Sequence, residues 1–212
     1  MKSKIKEINL EKGYESLIAY QSRFDLDFFV FAISSAVVCF FGFVMNNTAI
    51  IVGSMVLSPL LYPIIAIPTA CLRKDWKNFA NSLALLLVGF IIVFFLSWIL
   101  GVFFPVDLVD LEVANGIKSN YLVFFFIAFF SGLAGNFCYF WPRASSAMTG
   151  VAISIALLPP IIIFSLSFSL KNELFFISSL RVIFANTVGI LLGSFFVSVF
   201  FFVLKKRGVI EN

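Results

Sequence analysis

Charged residues divide this chain into islands separated by long apolar stretches. No Asp, Glu, Lys or Arg occurs in residues 28–72, 78–106, 119–142, 144–170 or 182–204. A membrane-spanning helix needs about 20 apolar residues, so the first stretch has room for two spans and each of the others for one. None of them carries the polar face that recurs about every 3.6 residues in a soluble amphipathic helix. The pattern predicts an all-α integral membrane protein with six transmembrane helices.

The predicted spans, numbered 1 to 6, cover 28–45, 48–71, 79–103, 121–140, 145–168 and 182–204. Residues 174–181 are interpreted as an interfacial turn or helix start that ends at Arg181. The mixed-charge segment before span 1 is expected to form an interfacial helix on the membrane surface, with a disordered tail as the alternative. The predicted units are the N-terminal interfacial or cytoplasmic segment 1–24, a first three-helix repeat 25–104, an acidic extracytoplasmic loop 105–119, a second three-helix repeat 120–205 and a cytoplasmic tail 206–212.

The loop charges orient the spans, because an excess of Lys and Arg marks the cytoplasmic side. The N-terminal segment, the loop Arg73–Lys77, Arg143 and the tail Lys205–Arg207 all fall on one side of a six-span serpentine. The acidic loop and residues 171–173 fall on the other side. No cleavable signal peptide is visible, so span 1 is expected to act as the insertion signal. The sequence therefore predicts a multi-pass protein of the cell (cytoplasmic) membrane with both termini in the cytoplasm.

Two stretches of the chain resemble each other and define a repeat. Gly53 in TAIIVGSM has a counterpart 97 residues later at Gly150 in SSAMTGVA, and Pro59 has one 100 residues later at Pro159. The sequence FANS in span 3 matches FANT in span 6 at an offset of 105. The offset increases in chain order, as it would in two diverged copies with small insertions.

The number of spans in each copy sets the relation between the copies. Three is an odd number, so the chain enters the second copy from the opposite side of the membrane, in agreement with the loop charges. The sequence therefore predicts two inverted three-helix repeats, with span 2 interrupted at Pro59 and span 5 at Pro159–Pro160. Inverted repeats are a recurrent plan of transporters, whose substrate site lies near the midplane where interrupted helices meet.

Prolines within a membrane span leave backbone groups without a hydrogen-bond partner, and lipid cannot supply one. Each removes a backbone donor and frees a carbonyl, and the freed groups must bond to protein, water or a ligand. Exposed N–H groups suit an anion and exposed carbonyls suit a cation. The candidate substrate-binding residues are Asn47, Thr48, Gly53, Ser54, Ser58, Pro59, Asn81, Arg143, Ser145, Ser146, Gly150, Pro159, Pro160 and Asn186.

Each of these residues also has a structural interpretation. The Ser and Gly residues allow close helix packing, and the prolines can form static kinks. Asn81 and Asn186 either tie helices together or face a cavity, since a side-chain amide in hydrocarbon is costly unless it is bonded. Arg143 either attracts an anionic solute or only sets the topology.

Composition excludes several kinds of chemistry. The chain has no His, and no Asp or Glu lies within a predicted span, so intramembrane proteolysis by a Ser–His, aspartyl or zinc site is not expected. No GxxxxGK[ST] loop is present, and the three cysteines show no CxxC spacing. The net charge of +4 follows from topology and does not indicate a nucleic-acid partner. We expect no enzymatic activity, no metal and no cofactor.

These observations favour a small-solute transporter or permease with its site between the proline-broken spans 2 and 5. The alternatives are a non-transporting membrane scaffold or accessory subunit, and a passive channel. The expected partners are the lipid bilayer, an unidentified small solute or ion, and a second copy of the chain in a homo-oligomer through the glycine-rich faces of spans 1 and 4.

The two proline-bearing motifs also carry a family resemblance. The sequence AIIVGSMVLSPL from Ala49 and the sequence GVAISIALLPP from Gly150 resemble the uncharacterised hydrophobic-domain family (domain of unknown function 389) of bacterial and archaeal membrane proteins. The resemblance covers about residues 25–205. It implies a multi-span integral membrane protein without an established activity. Many members carry an added soluble domain, which this chain is expected to lack.

Overall fold

The chain folds into a bundle of α-helices, as seen in a computed structural model. The structure describes residues 25–108, 112–119, 121–141, 144, 150–151 and 157–206. The helices whose ends fall within these ranges are α1 (Leu26–Val44), α2 (Thr48–Leu57), α3 (Leu61–Leu72), α4 (Trp76–Phe103), α5 (Glu112–Ser119), α6 (Tyr121–Phe140), α7 (Leu158–Ser169) and α8 (Glu173–Lys206).

Four of these helices, α1, α4, α6 and α8, are long and apolar enough to cross a membrane. The helices α2 and α3 pass the same test together, with a bend of 46° between them, which raises the count to five. The prediction of an all-α, membrane-type protein is confirmed at this level. Six spans in two inverted repeats stay a prediction, because 145–149 and 152–156 of span 5 lie outside the described residues. The predicted N-terminal segment 1–24 and the tail from residue 207 onward lie outside them as well.

Three joints between consecutive helices share one backbone device. At each joint a residue with left-handed backbone ends one helix, and the Asn or Asp that follows begins the next. The left-handed residues are Asn46 (φ 47°), Lys74 (φ 58°) and Lys171 (φ 52°).

The joint between α1 and α2 shows how the device works. Asn47 N–H donates to the Gly42 carbonyl (2.9 Å) and Asn46 N–H to the Phe43 carbonyl (3.0 Å), which satisfies the last carbonyls of α1. The Asn47 Oδ1 then accepts from Ala49 N–H (3.0 Å) and caps α2. The chain thus turns from α1 into α2 within two residues, and these hydrogen bonds hold both helix ends at the joint.

The helices around the second and third joints correspond in length and position. Each of α3 and α7 has 12 residues, and α7 begins 97 residues after α3. The next helix also begins 97 residues after its counterpart, since α4 starts at Trp76 and α8 at Glu173. In both cases the Asx side chain caps the new helix, with Asp75 accepting from Asn78 N–H (3.2 Å) and Asn172 from Phe175 N–H (3.4 Å).

Residues 174–181 form the start of the last helix, α8, which is one of the two predicted alternatives for this segment. The Asn172 cap begins a helix that continues through Arg181, so the segment is not an interfacial turn. At about 1.5 Å per residue, the 34 residues of α8 extend well beyond a hydrocarbon core of about 30 Å. Arg181 is exposed, which suits a charged side chain that reaches toward lipid head groups.

Glycines bring α6 and α8 into direct backbone contact. A Cβ added at Gly132 would clash with the Ile190 carbonyl, and one at Gly193 would clash with the Phe129 carbonyl. A Cβ at Gly189 would lie 2.7 Å from the Phe125 carbonyl oxygen. Gly189 and Gly193 form a GxxxG pair, which permits this closeness in membrane helices.

The order of these contacts gives the helix directions. Gly189 lies against Phe125 and Gly193 lies against Phe129, so the contacting residues move toward the C-terminus of both helices together. The two helices α6 and α8 therefore run in the same direction. The same holds for α1 and α4, because a Cβ at Gly89 would lie 3.3 Å from the Phe28 ring and Phe41 meets Phe104 with ring centroids 5.4 Å apart. The chain must therefore reverse between the members of each pair.

One apolar core joins both halves of the chain, with fully buried side chains such as Phe40, Ile64 and Ile162. Large apolar side chains on the outside remain exposed, for example Phe184 at 71%, as expected for contact with lipid. The predicted acidic loop contains α5, whose Ala114 and Ile117 are buried in the core.

The glycine-rich faces predicted to join two copies are occupied within the chain. Gly42 of α1 packs against Ile51 of α2, and Gly132 of α6 packs against α8. A homo-oligomer stays a prediction, but these faces are not available to form it.

Candidate functional site

The first proline motif interrupts span 2 as predicted. The helix α2 ends at Leu57 and α3 begins at Leu61. Between them, Ser58 is extended, with φ −70° and ψ 127°, and its Oγ accepts from Leu60 N–H at 3.4 Å. Pro59 supplies no donor at this point, so the helical hydrogen bonds stop and the chain bends.

The second proline motif lies in the first turn of α7. Pro159 and Pro160 are buried there, at positions where a helix does not need the missing N–H groups. By the helix bounds, Pro160 occupies the place of Pro63, 97 residues earlier. This register differs from the predicted offset of 100 between Pro59 and Pro159.

The structure places the predicted site residues in several environments. Asn47, Thr48, Gly53 and Gly150 are exposed; Ser58, Pro59 and Asn81 are half-buried; Ser54, Pro159, Pro160 and Asn186 are buried. Arg143, Ser145 and Ser146 lie outside the described residues. Asn47 acts as a helix cap, and the Ser54 Oγ donates to the Ile51 carbonyl at 2.5 Å. These two residues have structural roles in addition to any role in binding.

The two proline-bearing segments meet on one face of α6. A Cβ added at Gly135 would lie 2.7 Å from Ile65 Cδ1 and 3.0 Å from Val151 Cγ1. Ile65 belongs to α3, after the first proline break, and Val151 lies eight residues before Pro159 in the second proline-bearing motif. Gly135 therefore marks a place where residues of the two proline-bearing segments approach each other.

A buried polar network that was not predicted as a site lies farther along α6 and α8. Asn136 is fully buried, and its Nδ2 donates to the Ser194 carbonyl (2.5 Å) and to Ser198 Oγ (2.6 Å). Ser198 Oγ also lies 2.9 Å from Thr69 Oγ1 on α3. The network ties together three helices that are distant in sequence.

A cavity of about 420 Å³ opens beside this network. Thr69 and Ser198 line it together with Leu72, Arg73, Lys74, Phe140, Phe201 and Phe202. It lies where the C-terminal parts of α3, α6 and α8 meet, at the basic end of the bundle. Neither Pro59 nor Pro159 lines it. In the sequence, Asn136 within an apolar span and the two serines four residues apart on α8, Ser194 and Ser198, were a signal for the network. No sequence signal indicated the cavity.

Comparisons with known proteins bear on the identity of the chain. A family model described as domain of unknown function (DUF389) matches residues 55–192. The uncharacterized protein MJ0678 of Methanocaldococcus jannaschii is 33% identical over 134 residues, which make up 63% of this chain and 41% of that protein. The chain thus spans less than half the length of this curated relative. No solved structure matches the chain.

The family match extends over more than half of the chain and includes both proline-bearing segments. It confirms the resemblance inferred from the two sequence motifs. The chain belongs to the DUF389 family of uncharacterised proteins.

Proposed function

We propose that this protein is a small-solute transporter or permease with six spans, in which α7 and the residues before it form the fifth. The two halves are inverted relative to each other, and the solute binds between the proline-broken spans. The proposal includes no enzymatic activity, no cofactor and no nucleic-acid partner. Its setting is the cytoplasmic membrane, with the basic end of the bundle in the cytoplasm.

The helix directions support an inverted arrangement. Because α6 and α8 run in the same direction, the chain between Phe140 and Glu173 has to return across the bundle, and α7 lies on that return path. The packing is also reciprocal. The second-half helix α7 packs on α4 and α1, and its first-half counterpart α3 packs on α8 and α6.

The observation that carries the transport proposal is the approach of Ile65 and Val151 over Gly135. Inverted-repeat transporters bind their substrates where interrupted helices of the two halves meet. The bend of 46° at Ser58–Leu60 and the prolines at the start of α7 supply such interruptions, one in each half.

One observation favours the alternative of a non-transporting scaffold. Pro159 and Pro160 are buried among apolar core residues such as Leu158 and Ile161, and the cavity described above lies elsewhere. For a transporter, this packing corresponds to a state closed at the proline breaks. For a scaffold, it is the permanent structure.

Two measurements test the proposal. The first is a thermal-unfolding screen of purified protein against inorganic ions, amino acids, sugars and carboxylates, since a ligand stabilises the protein by RT ln(1 + [L]/Kd). The second is uptake of the stabilising solute into proteoliposomes. We expect Ser58→Leu to abolish uptake and Ser178→Leu, on α8 away from the break, to preserve it. A screen without stabilising solutes, or no uptake of a stabilising solute by the wild type, would favour the scaffold. Equal uptake by both variants would show that the solute does not pass the break at Ser58.

The number of spans can be tested separately by cysteine labelling. In a background without native cysteines, Lys77→Cys and Lys171→Cys should react with a membrane-impermeant maleimide from opposite sides of the membrane. Labelling of both positions from the same side would mean that α7 does not belong to a complete span, and the inverted arrangement would be wrong.

A further inference from the structure

The cavity at the basic end has the composition of a site for an amphiphilic anion. Arg73 and Lys74 contribute positive charge, and Thr69 and Ser198 contribute hydroxyl groups. The remaining lining residues are apolar: Leu72, Phe140, Phe201 and Phe202. None of the described lining residues is acidic. We propose that this cavity binds the phosphate head group of an anionic phospholipid from the cytoplasmic leaflet.

Both cations follow directly after α3, at its C-terminal end, and line the cavity. Arg73 is the C-cap of α3, and Lys74 is the left-handed residue of the joint that follows. Asp75, the next residue in the chain, is the N-cap of α4 and accepts a hydrogen bond from Asn78 Nδ2 at 2.6 Å. Asp75 does not line the cavity.

The floor of the cavity offers a hydrogen-bond donor. Ser198 Oγ accepts from Asn136 Nδ2 (2.6 Å) and lies 2.9 Å from Thr69 Oγ1. When Ser198 donates its proton to Thr69, the Thr69 hydroxyl proton is free to point into the cavity. A phosphate oxygen is a suitable acceptor for this proton, and charge-assisted hydrogen bonds of this kind are among the strong ones.

The walls favour a lipid over a free solute. Half of the eight described lining residues are aromatic or aliphatic, and one of them, Phe202, is 48% exposed. A volume of about 420 Å³ suits a head group with part of its glycerol, while the acyl chains remain in the bilayer. Basic pockets between transmembrane helices on the cytoplasmic side are known sites for acidic lipid head groups.

One feature opposes the binding of an anion. The C-terminal parts of α3, α6 and α8 meet here, and a helix C-terminus carries partial negative charge. The positive charges of Arg73 and Lys74 must therefore outweigh the partial negative charges of the helix ends. Removal of either cation should then weaken anion binding. A cation near an anionic lipid surface contributes about a fivefold change in affinity. This inference does not depend on whether the protein transports a solute.

The test is native mass spectrometry of the purified full chain, titrated with phosphatidylglycerol or with phosphatidylcholine. We expect the wild type to retain phosphatidylglycerol in preference to phosphatidylcholine. Arg73→Gln and Lys74→Asn should each weaken retention about fivefold, since Asn tolerates the left-handed backbone of residue 74. Lys77→Gln is the matched control, because Lys77 is exposed at the start of α4, three residues after Lys74, but does not line the cavity. Arg73→Lys should keep most of the affinity.

Three results would overturn the inference. An equal loss of phosphatidylglycerol retention in Lys77→Gln would show that lipid binding depends only on the overall positive charge of residues 73–77 and not on the cavity. Equal retention of both lipids by the wild type would remove the anionic specificity. Thermal stabilisation by inorganic phosphate that disappears in Arg73→Gln, without selective lipid retention, would assign the cavity to a soluble anion.

Discussion

The same substitution, glycine to alanine, should have opposite effects on stability at Gly193 and at Gly53. In a helix interior alanine is favoured over glycine by about 0.5–1 kcal/mol. At Gly193, however, the added methyl would clash with the Phe129 carbonyl oxygen and lie 2.8 Å from Leu133 N. Both atoms belong to the α6 backbone, so no side-chain rotation can relieve the overlap. At Gly53 nothing lies within 4 Å of the added methyl.

The expected magnitudes follow from these surroundings. Overpacking a well-filled contact costs about 1–3 kcal/mol, which leaves Gly193→Ala less stable by about 1–2 kcal/mol after the gain in helix propensity. Gly53→Ala should be more stable by up to about 1 kcal/mol. For a chain of this size, 1 kcal/mol shifts the melting temperature by about 2–4 °C.

Thermal unfolding of the detergent-solubilised protein, followed by tryptophan fluorescence or circular dichroism, measures both variants under one set of conditions. We expect the melting temperature to fall for Gly193→Ala and to rise for Gly53→Ala. A melting temperature of Gly193→Ala at or above that of the wild type would refute the direct backbone contact between α6 and α8.

Substitutions at three further positions probe other parts of the fold by the same measurement. Asn136→Leu removes the hydrogen bonds to Ser194 and Ser198. Since interhelical hydrogen bonds in membranes average about 0.6 kcal/mol, we expect the free energy of unfolding to fall by about 1 kcal/mol. Unchanged stability would contradict the network. Asn47→Ala removes the cap of α2 and should cost about 1 kcal/mol, whereas Asn47→Asp should retain stability. Lys171→Gly should raise the melting temperature because left-handed backbone costs a non-glycine residue about 1 kcal/mol; a decrease would contradict the backbone assigned to that joint.

Much of the helical framework could be predicted from the pattern of charges and apolar stretches. The bounds of α6 agree with the predicted span 121–140, because charged or turn residues lie close to both of its ends. The break at Ser58–Pro59 was predictable as well, since proline cannot donate the hydrogen bond that a continuing helix requires. Both are local effects of composition and covalent chemistry.

Features that depend on distant parts of the chain were not predicted. The cavity is formed by residues of α3, α6 and α8 that lie far apart in sequence, and no local motif indicates that they meet. The prediction matched Pro59 with Pro159 at an offset of 100, whereas the helix bounds match Pro63 with Pro160 at 97, the offset predicted between Gly53 and Gly150. Helix ends depend on caps and joints, and a single shared proline does not fix them. The sequence left residues 174–181 as either an interfacial turn or a helix start because the charged Arg181 interrupts the apolar stretch, and the cap at Asn172 decides for the helix start.

The glycine contacts between α6 and α8 restrict how this protein can move. Two helices whose backbones touch at Gly132, Gly189 and Gly193 can neither slide nor rotate past each other without steric overlap. The helix α2 is constrained differently, because it packs mainly on α1 and is joined to α3 only through the non-helical residues 58–60. Any large rearrangement should therefore be a hinge rotation of α2 about its bend, while α6 and α8 remain a rigid unit.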